Sequence, residues 1–348
     1  MRRVIVGLTF VALAMVLAVP GRAADGPRIY VSNEDSGEIT QVDPVAGQVL
    51  QRISVGKRPR GIKLAPGGKL LYVALSGSPG AGPNVDESKL PPPDRSSDGI
   101  GVVDLATFKL LRTLPSGQDP EAFDVSPDGR TLFISNEETA QVTVLDIATA
   151  RVTRTVAVGR EPEGVTVRPD GKVVYVTCEG DAEVVAIDTA TLKVISHMHT
   201  EPRPRSVVFT RDGSTAFATA ERGAAVTVLD AVRHNAIETI KIPSEAGKTM
   251  PARPMGSVLA PDGKHIYVSD GRGESVAIID VATRKVARMI DGVGARPWGI
   301  GVSSDGRNIY TANGPSDDVS VIDVGTGRVD RRIKVGSRPW GLVVAARP

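Results

Sequence analysis

Residues 162–203 read PEGVTVRPDGKVVYVTCEGDAEVVAIDTATLKVISHMHTEPR. After Pro162, residues 164–167 alternate apolar and polar in the two-residue period of a half-buried strand. Pro169-Asp170-Gly171 then predicts a tight turn, because Asp-Gly tolerates the positive φ that short hairpins need. Residues 174–177 predict a second strand. A polar loop leads to a third strand ending at Asp188, and another turn leads to an outer fourth strand. The pattern returns along the chain. A proline recurs at 59, 120, 162, 204, 254, 297 and 339, at intervals of 61, 42, 42, 50, 43 and 42. An aspartate recurs at 43, 104, 146, 188, 230, 280 and 323, with the same period. Two independent markers with one period identify a repeat of about 42 residues.

Four antiparallel strands per repeat make a propeller blade, and seven markers predict an all-β, seven-bladed β-propeller. The chain is out of phase with its blades. It opens on Ile29-Tyr30-Val31-Ser32, a second strand, and closes on Gly341-Leu342-Val343-Val344, a first strand. N- and C-terminal strands are therefore expected to share one blade, which removes the open sheet edges. One domain over residues 24–348 is expected, with a loop insertion at about 76–98 and a smaller one near 243–250.

Ahead of it, residues 1–23 read as a secretory signal. Arg2 and Arg3 precede an apolar run over residues 4–19, and Gly21 and Ala23 offer a small-residue cleavage site after Ala23. A periplasmic or secreted location follows, with no membrane attachment after cleavage. The formal charge of +2 becomes −1 without this segment, so charge gives no reason to expect nucleic acid. Cys178 is the single cysteine, so no intramolecular disulfide can form, and it reads as a small filler.

Tyr30-Val31-Ser32-Asn33, Phe133-Ile134-Ser135-Asn136, Tyr175-Val176-Thr177 and Tyr267-Val268-Ser269 resemble the YVTN-repeat β-propeller family. The chain also resembles the exported propellers associated with PQQ-dependent (quinoprotein) alcohol catabolism. Similar repeats occur in lactonase-type propellers and in the haem d1 domain of nitrite reductase. The resemblance implies the fold strongly and a function only broadly.

The residue after each marker proline is expected at the channel mouth. By blade these are Arg60, Glu121, Glu163, Arg205, Met255, Trp298 and Trp340, and the residues before the prolines are Arg58, Asp119, Glu161, Arg203, Arg253, Arg296 and Arg338. The ring is uneven: carboxylates in blades two and three face arginines and both tryptophans of the chain. Ligand- or partner-binding candidates are Arg58, Arg60, Glu121, Glu163, Arg205, Arg296, Trp298, Arg338 and Trp340. The tryptophans read equally as interblade packing. Glu34, Glu137, Glu179 and Glu221 follow second strands, where carboxylates beside Asn33 or Asn136 suit Ca²⁺ or, more simply, turns. No metal site and no cofactor is expected. His197 and His199 fall on the solvent side of an outer strand, and His234 and His265 at the opposite face, so a histidine-based triad is not expected. No Cys-x-x-Cys-His haem attachment is present.

These readings favour a non-catalytic binding or accessory propeller. Its partner would be a protein or a small polar ligand, and the resemblance implies a quinoprotein dehydrogenase or a cytochrome. The alternative is a lactonase-type hydrolase using a carboxylate- or metal-activated water, with Glu121 and Glu163 as candidate bases.

Overall fold

The computed structural model describes residues 26–80, 89–244 and 250–345. The expected leader and its cleavage site lie outside the described residues, as do parts of both insertions. The described strands form seven four-stranded antiparallel sheets. Numbered by marker proline, blades one to seven begin with inner strands Pro59–Leu64, Pro120–Val125, Pro162–Val167, Pro204–Phe209, Pro254–Leu259, Pro297–Val302 and Pro339–Ala345. Blade three continues through Val173–Cys178 and Glu183–Asp188 to the outer strand Lys193–His199. The core lies between blades, where the inward faces of the strands meet. Tyr175, for example, packs with Val184, Val207, Phe209 and Ala218 of blades three and four.

Blade seven closes the ring as the sequence predicts. Pro339–Ala345 pairs antiparallel with Arg28–Asn33, from Arg28 opposite Ala345 to Ser32 opposite Gly341.

The two sequence markers have separate physical roles. Each aspartate closes the turn between third and fourth strands. Asp146 Oδ1 accepts from the Thr149 amide (2.8 Å) and hydroxyl (2.6 Å), and Asp188, Asp280 and Asp323 repeat the arrangement. These bonds hold the carboxylates below their ordinary pKa. Each proline opens an inner strand, where no amide is needed.

Two further devices place the mouth residues. The Ser or Thr of the second strand donates to the next blade's carbonyl at the position after proline. The pairs are Ser32 to Arg60 (2.6 Å), Ser135 to Glu163 (2.6 Å), Thr177 to Arg205 (3.3 Å), Thr219 to Met255 (2.6 Å) and Ser269 to Trp298 (2.8 Å). One residue further on, glycine allows inner strands to approach. A Cβ at Gly164 would lie 2.4 Å from the Arg205 carbonyl oxygen, and one at Gly256 2.5 Å from that of Trp298.

Candidate active site

The inner strands surround a central cavity of about 400 Å³, lined by Glu163, Arg205, Met255, Trp298 and Trp340 near the mouth and by aliphatic side chains below. A second groove of about 460 Å³ between blades two and three contains Asp128, Asp146 and Asp170, but these bond to their own turns and are not free to act.

One register rule organises the mouth. In six of the blades the amide of the residue after the second strand donates to the carbonyl before the same blade's proline, as in Glu137 to Asp119 (3.1 Å) and Glu221 to Arg203 (2.8 Å); in blade one Ser76 donates to Lys57 instead (3.2 Å). That residue therefore stands beside its own blade's pre-proline side chain and faces the next blade's arginines. Glu34 of blade seven meets Arg58 (3.2 Å) and Arg60 (3.7 Å) of blade one, and Arg338 (3.7 Å) of its own blade. Glu179 of blade three meets Arg203 (2.7 Å) and Arg205 of blade four. Glu221 of blade four meets Arg253 of blade five (3.2 Å) and Arg203 (3.2 Å). Burial opposes ionisation of Glu34 and Glu221, but the guanidiniums outweigh it and hold both below the ordinary carboxylate range.

In blade two the rule fails to supply an arginine. Glu137 stands beside Asp119 and faces Glu163, and it has no ion pair among the described residues. Burial raises its pKa, and Glu163 adds to the rise. Burial also raises Glu163, against the opposing pull of Arg205, whose Nη2 lies 3.2 Å away. The charge of Glu163 is felt at Glu137, while the like charge felt at Glu163 is that of Glu179.

The structure brings most of the sequence candidates together. Arg58, Arg60, Arg205, Arg296 and Arg338 all reach the mouth, but Glu161 points to solvent and takes no part. Glu121 is fully buried against Arg60 Nη1, and its Oε2 has no partner among the described residues. It is closed to water, and Glu137 replaces it as the second candidate beside Glu163. The neighbour rule was readable in advance: Glu137 is the one such glutamate followed, at the next proline, by acids on both sides.

Trp298 and Trp340 form one aromatic wall, with ring centroids 6.5 Å apart. Trp298 is 8% exposed and lies over Gly314, where a Cβ would come within 3.3 Å of the indole. Both readings of this residue thus have a physical basis: it packs against Gly314 of its own blade and Trp340 of the next, and it lines the cavity. The neighbouring second-strand ends are structural. Asn136 Nδ2 donates to the Ser116 carbonyl (2.9 Å), and Cys178 is buried with its thiol pushed up to about 12, chiefly by burial.

Asp119, Glu121 and Glu137 bring carboxylate oxygens within 4.8 Å of one another, an all-oxygen set of the kind a hard cation takes. The sequence reading expected no such group. Arg60 on Glu121 and Arg58, 3.9 Å from Asp119, already offset two of its three charges, and burial disfavours the third, on Glu137.

Residues 161–338 match the family model of the lactonase seven-bladed β-propellers, and residues 86–171 match that of the YNCE-like β-propellers. Antigen Lp49 of Leptospira interrogans is 32% identical over 109 residues, which span 31% of this chain and 23% of that protein. Among solved structures, the periplasmic gluconolactonase of Pseudomonas aeruginosa superposes with a TM-score of 0.73 at 21% identity, over 92% of this chain and 99% of that one. A 6-phosphogluconolactonase homologue of Bacteroides uniformis gives 0.72 at 19% identity, over 92% and 100%. Hydrazine synthase of Kuenenia stuttgartiensis gives 0.67 at 24%, over 81% and 88%. At these identities the structural likeness is one of fold. The family match corrects the expectation of a non-catalytic accessory propeller, because it spans the blades that carry Glu163, Arg205 and Trp298 and its members are named for hydrolysis. That expectation rested on the lack of a catalytic signature, a histidine at the mouth among them, and on the resemblance to accessory propellers, but carboxyls can move protons without a histidine. This chain belongs to the lactonase family of seven-bladed β-propellers.

Proposed function

We propose that the chain opens a lactone by hydrolysis at the channel mouth. The observation that carries this reading is the Glu137–Glu163 pair, two interacting carboxyls displaced upward from the ordinary range beside the cavity. Two carboxyls in different surroundings can divide the work, one as base and the other as acid. Glu163, paired with Arg205, is the ionised member. Glu137, without a cation partner and open to the mouth, carries the proton. Glu163 takes a proton from water as its oxygen adds to the lactone carbonyl carbon. As the tetrahedral intermediate collapses and the ring C–O bond breaks, the Glu137 proton goes to the departing alkoxide. The products are a hydroxy-carboxylate and one proton released to solvent. Trp298 and Trp340 supply a flat apolar wall for the substrate ring. The order of basic, apolar and small residues in 1–23 supports an exported enzyme.

A pH–rate profile tests the assignment. Turnover should rise and then fall with pH, with both limbs above the ordinary carboxylate pKa. Glu137→Gln should remove the alkaline limb from the residual activity, because that limb is loss of the acid's proton. A wild-type profile flat between pH 4 and 8 would rule out the pair.

A further inference from the structure

The register rule that leaves Glu137 without an arginine also leaves an arginine without a carboxylate. Blades seven, three and four carry a glutamate after the second strand, facing the next blade's arginines. Blade five carries Gly271 there. The arginine it faces is Arg296, and a Cβ on Gly271 would lie 3.5 Å from Arg296 Cγ. Arg296 has no ion pair among the described residues. Its guanidinium lies over Trp298, 5.1 Å from the ring centroid, and that of Arg338 lies over the same ring at 5.7 Å. Arg253 and Arg338 are compensated, by Glu221 (3.2 Å) and by Glu34 and Asp35 (3.7 and 3.6 Å). Burial lowers the Arg296 pKa; Glu221, which already meets Arg203 and Arg253, opposes this, and the like charges of Arg205, Arg253 and Arg338 add to it. A half-buried cation crowded by other cations is costly unless an anion completes it.

We propose that Arg296 is an anion-binding subsite of the mouth, and that its ligand is the carboxylate created when a lactone ring opens. The assignment of the carboxylate rests on the hydrolase reading; the demand for an anion does not. A lactone is neutral at its ester and its product is charged, so a lone cation beside the aromatic wall favours the opened form. A guanidinium also matches a carboxylate with two parallel hydrogen bonds.

Calorimetry at low ionic strength tests this without any turnover. Gluconate, inorganic phosphate and neutral sorbitol would each be titrated into the wild type, Arg296→Gln and Gly271→Glu. Gluconate should bind the wild type and sorbitol should not. Arg296→Gln should weaken gluconate by about tenfold or more. Gly271→Glu, which supplies the missing carboxylate from within, should do the same with Arg296 intact. Gluconate binding unchanged in both variants, or absent from the wild type, overturns the proposal. Phosphate that binds through Arg296 where gluconate does not overturns the carboxylate assignment. A protein that opens lactones but binds gluconate independently of Arg296 loses only this subsite. Arg296-dependent gluconate binding in a protein that opens no lactone removes only the hydrolase reading.

Discussion

Deleting residues 340–348 will abolish the cooperative fold. The lost segment contains nearly all of the inner strand Pro339–Ala345, whose pairing with Arg28–Asn33 closes the ring. Leu342 and Ala345 would leave two separate interblade cores, those with Tyr310 and with Tyr30. Ser32 would lose its bonds to the Gly341 amide (3.1 Å) and carbonyl (3.3 Å), leaving buried polar groups exposed to an open edge. Stripping Leu342 from its packed core alone costs about 2–5 kcal/mol, and the lost strand pairing adds to it, against a total stability of roughly 5–15 kcal/mol. The free edge of Arg28–Asn33 then offers unpaired backbone to other molecules. Thermal melts and sedimentation should show loss of the transition and aggregation. A truncated protein that melts as the wild type does would mean that the ring does not need this strand.

Glu163→Gln and Glu137→Gln will each lower lactone turnover by about 10²–10⁴-fold, the range for losing a positioned acid or base. Neither should destabilise the fold at pH 7. Both groups have folded pKa values raised above the unfolded value. Between those two values the folded state holds a proton that the unfolded chain has released, so stability falls as pH rises through the window. A neutral amide removes that fall, and each variant should melt at or above the wild-type temperature at pH 7. Glu34→Gln is the control of opposite sign. Its folded pKa is lowered by Arg60, Arg58 and Arg338 despite burial, so its contribution is present at neutral pH and is lost as pH falls. That variant should be destabilised at pH 7. A melt that drops for Glu163→Gln as much as for Glu34→Gln would mean that Glu163 is an ordinary buried ion pair.

The fold was legible because its markers answer to backbone geometry. Asp146 and its equivalents close a turn that every blade needs, and Pro162 and its equivalents open an inner strand, so both recur whatever the protein does. The shared blade followed from phase alone. The site was less legible for the same reason: residues that differ between blades carry no period. Glu121 and Glu163 share a repeat position, yet Arg60 closes on one while the other lines the cavity. Glu137 was visible only as one of four similar glutamates. Its difference lies in its neighbours: the acids that flank Pro162 are written in the sequence, but that Glu137 faces them, and stands beside Asp119, follows only from the register between blades. Arg296 is the mirror case, distinguished by the glycine at 271 rather than by anything in its own segment. The hydroxyl ties from Ser135 and Thr219 to the next blade, and the close approach at Gly164, are likewise contacts between blades that reading along one strand does not show.

The most direct test of the account is proton release from sugar lactones, beginning with glucono-1,5-lactone, by the purified chain between pH 5 and 8. The account predicts release well above the spontaneous rate in the wild type and a return to near that rate in Glu163→Gln. Release at the spontaneous rate across a range of sugar and aliphatic lactones, or full release by Glu163→Gln, would contradict it.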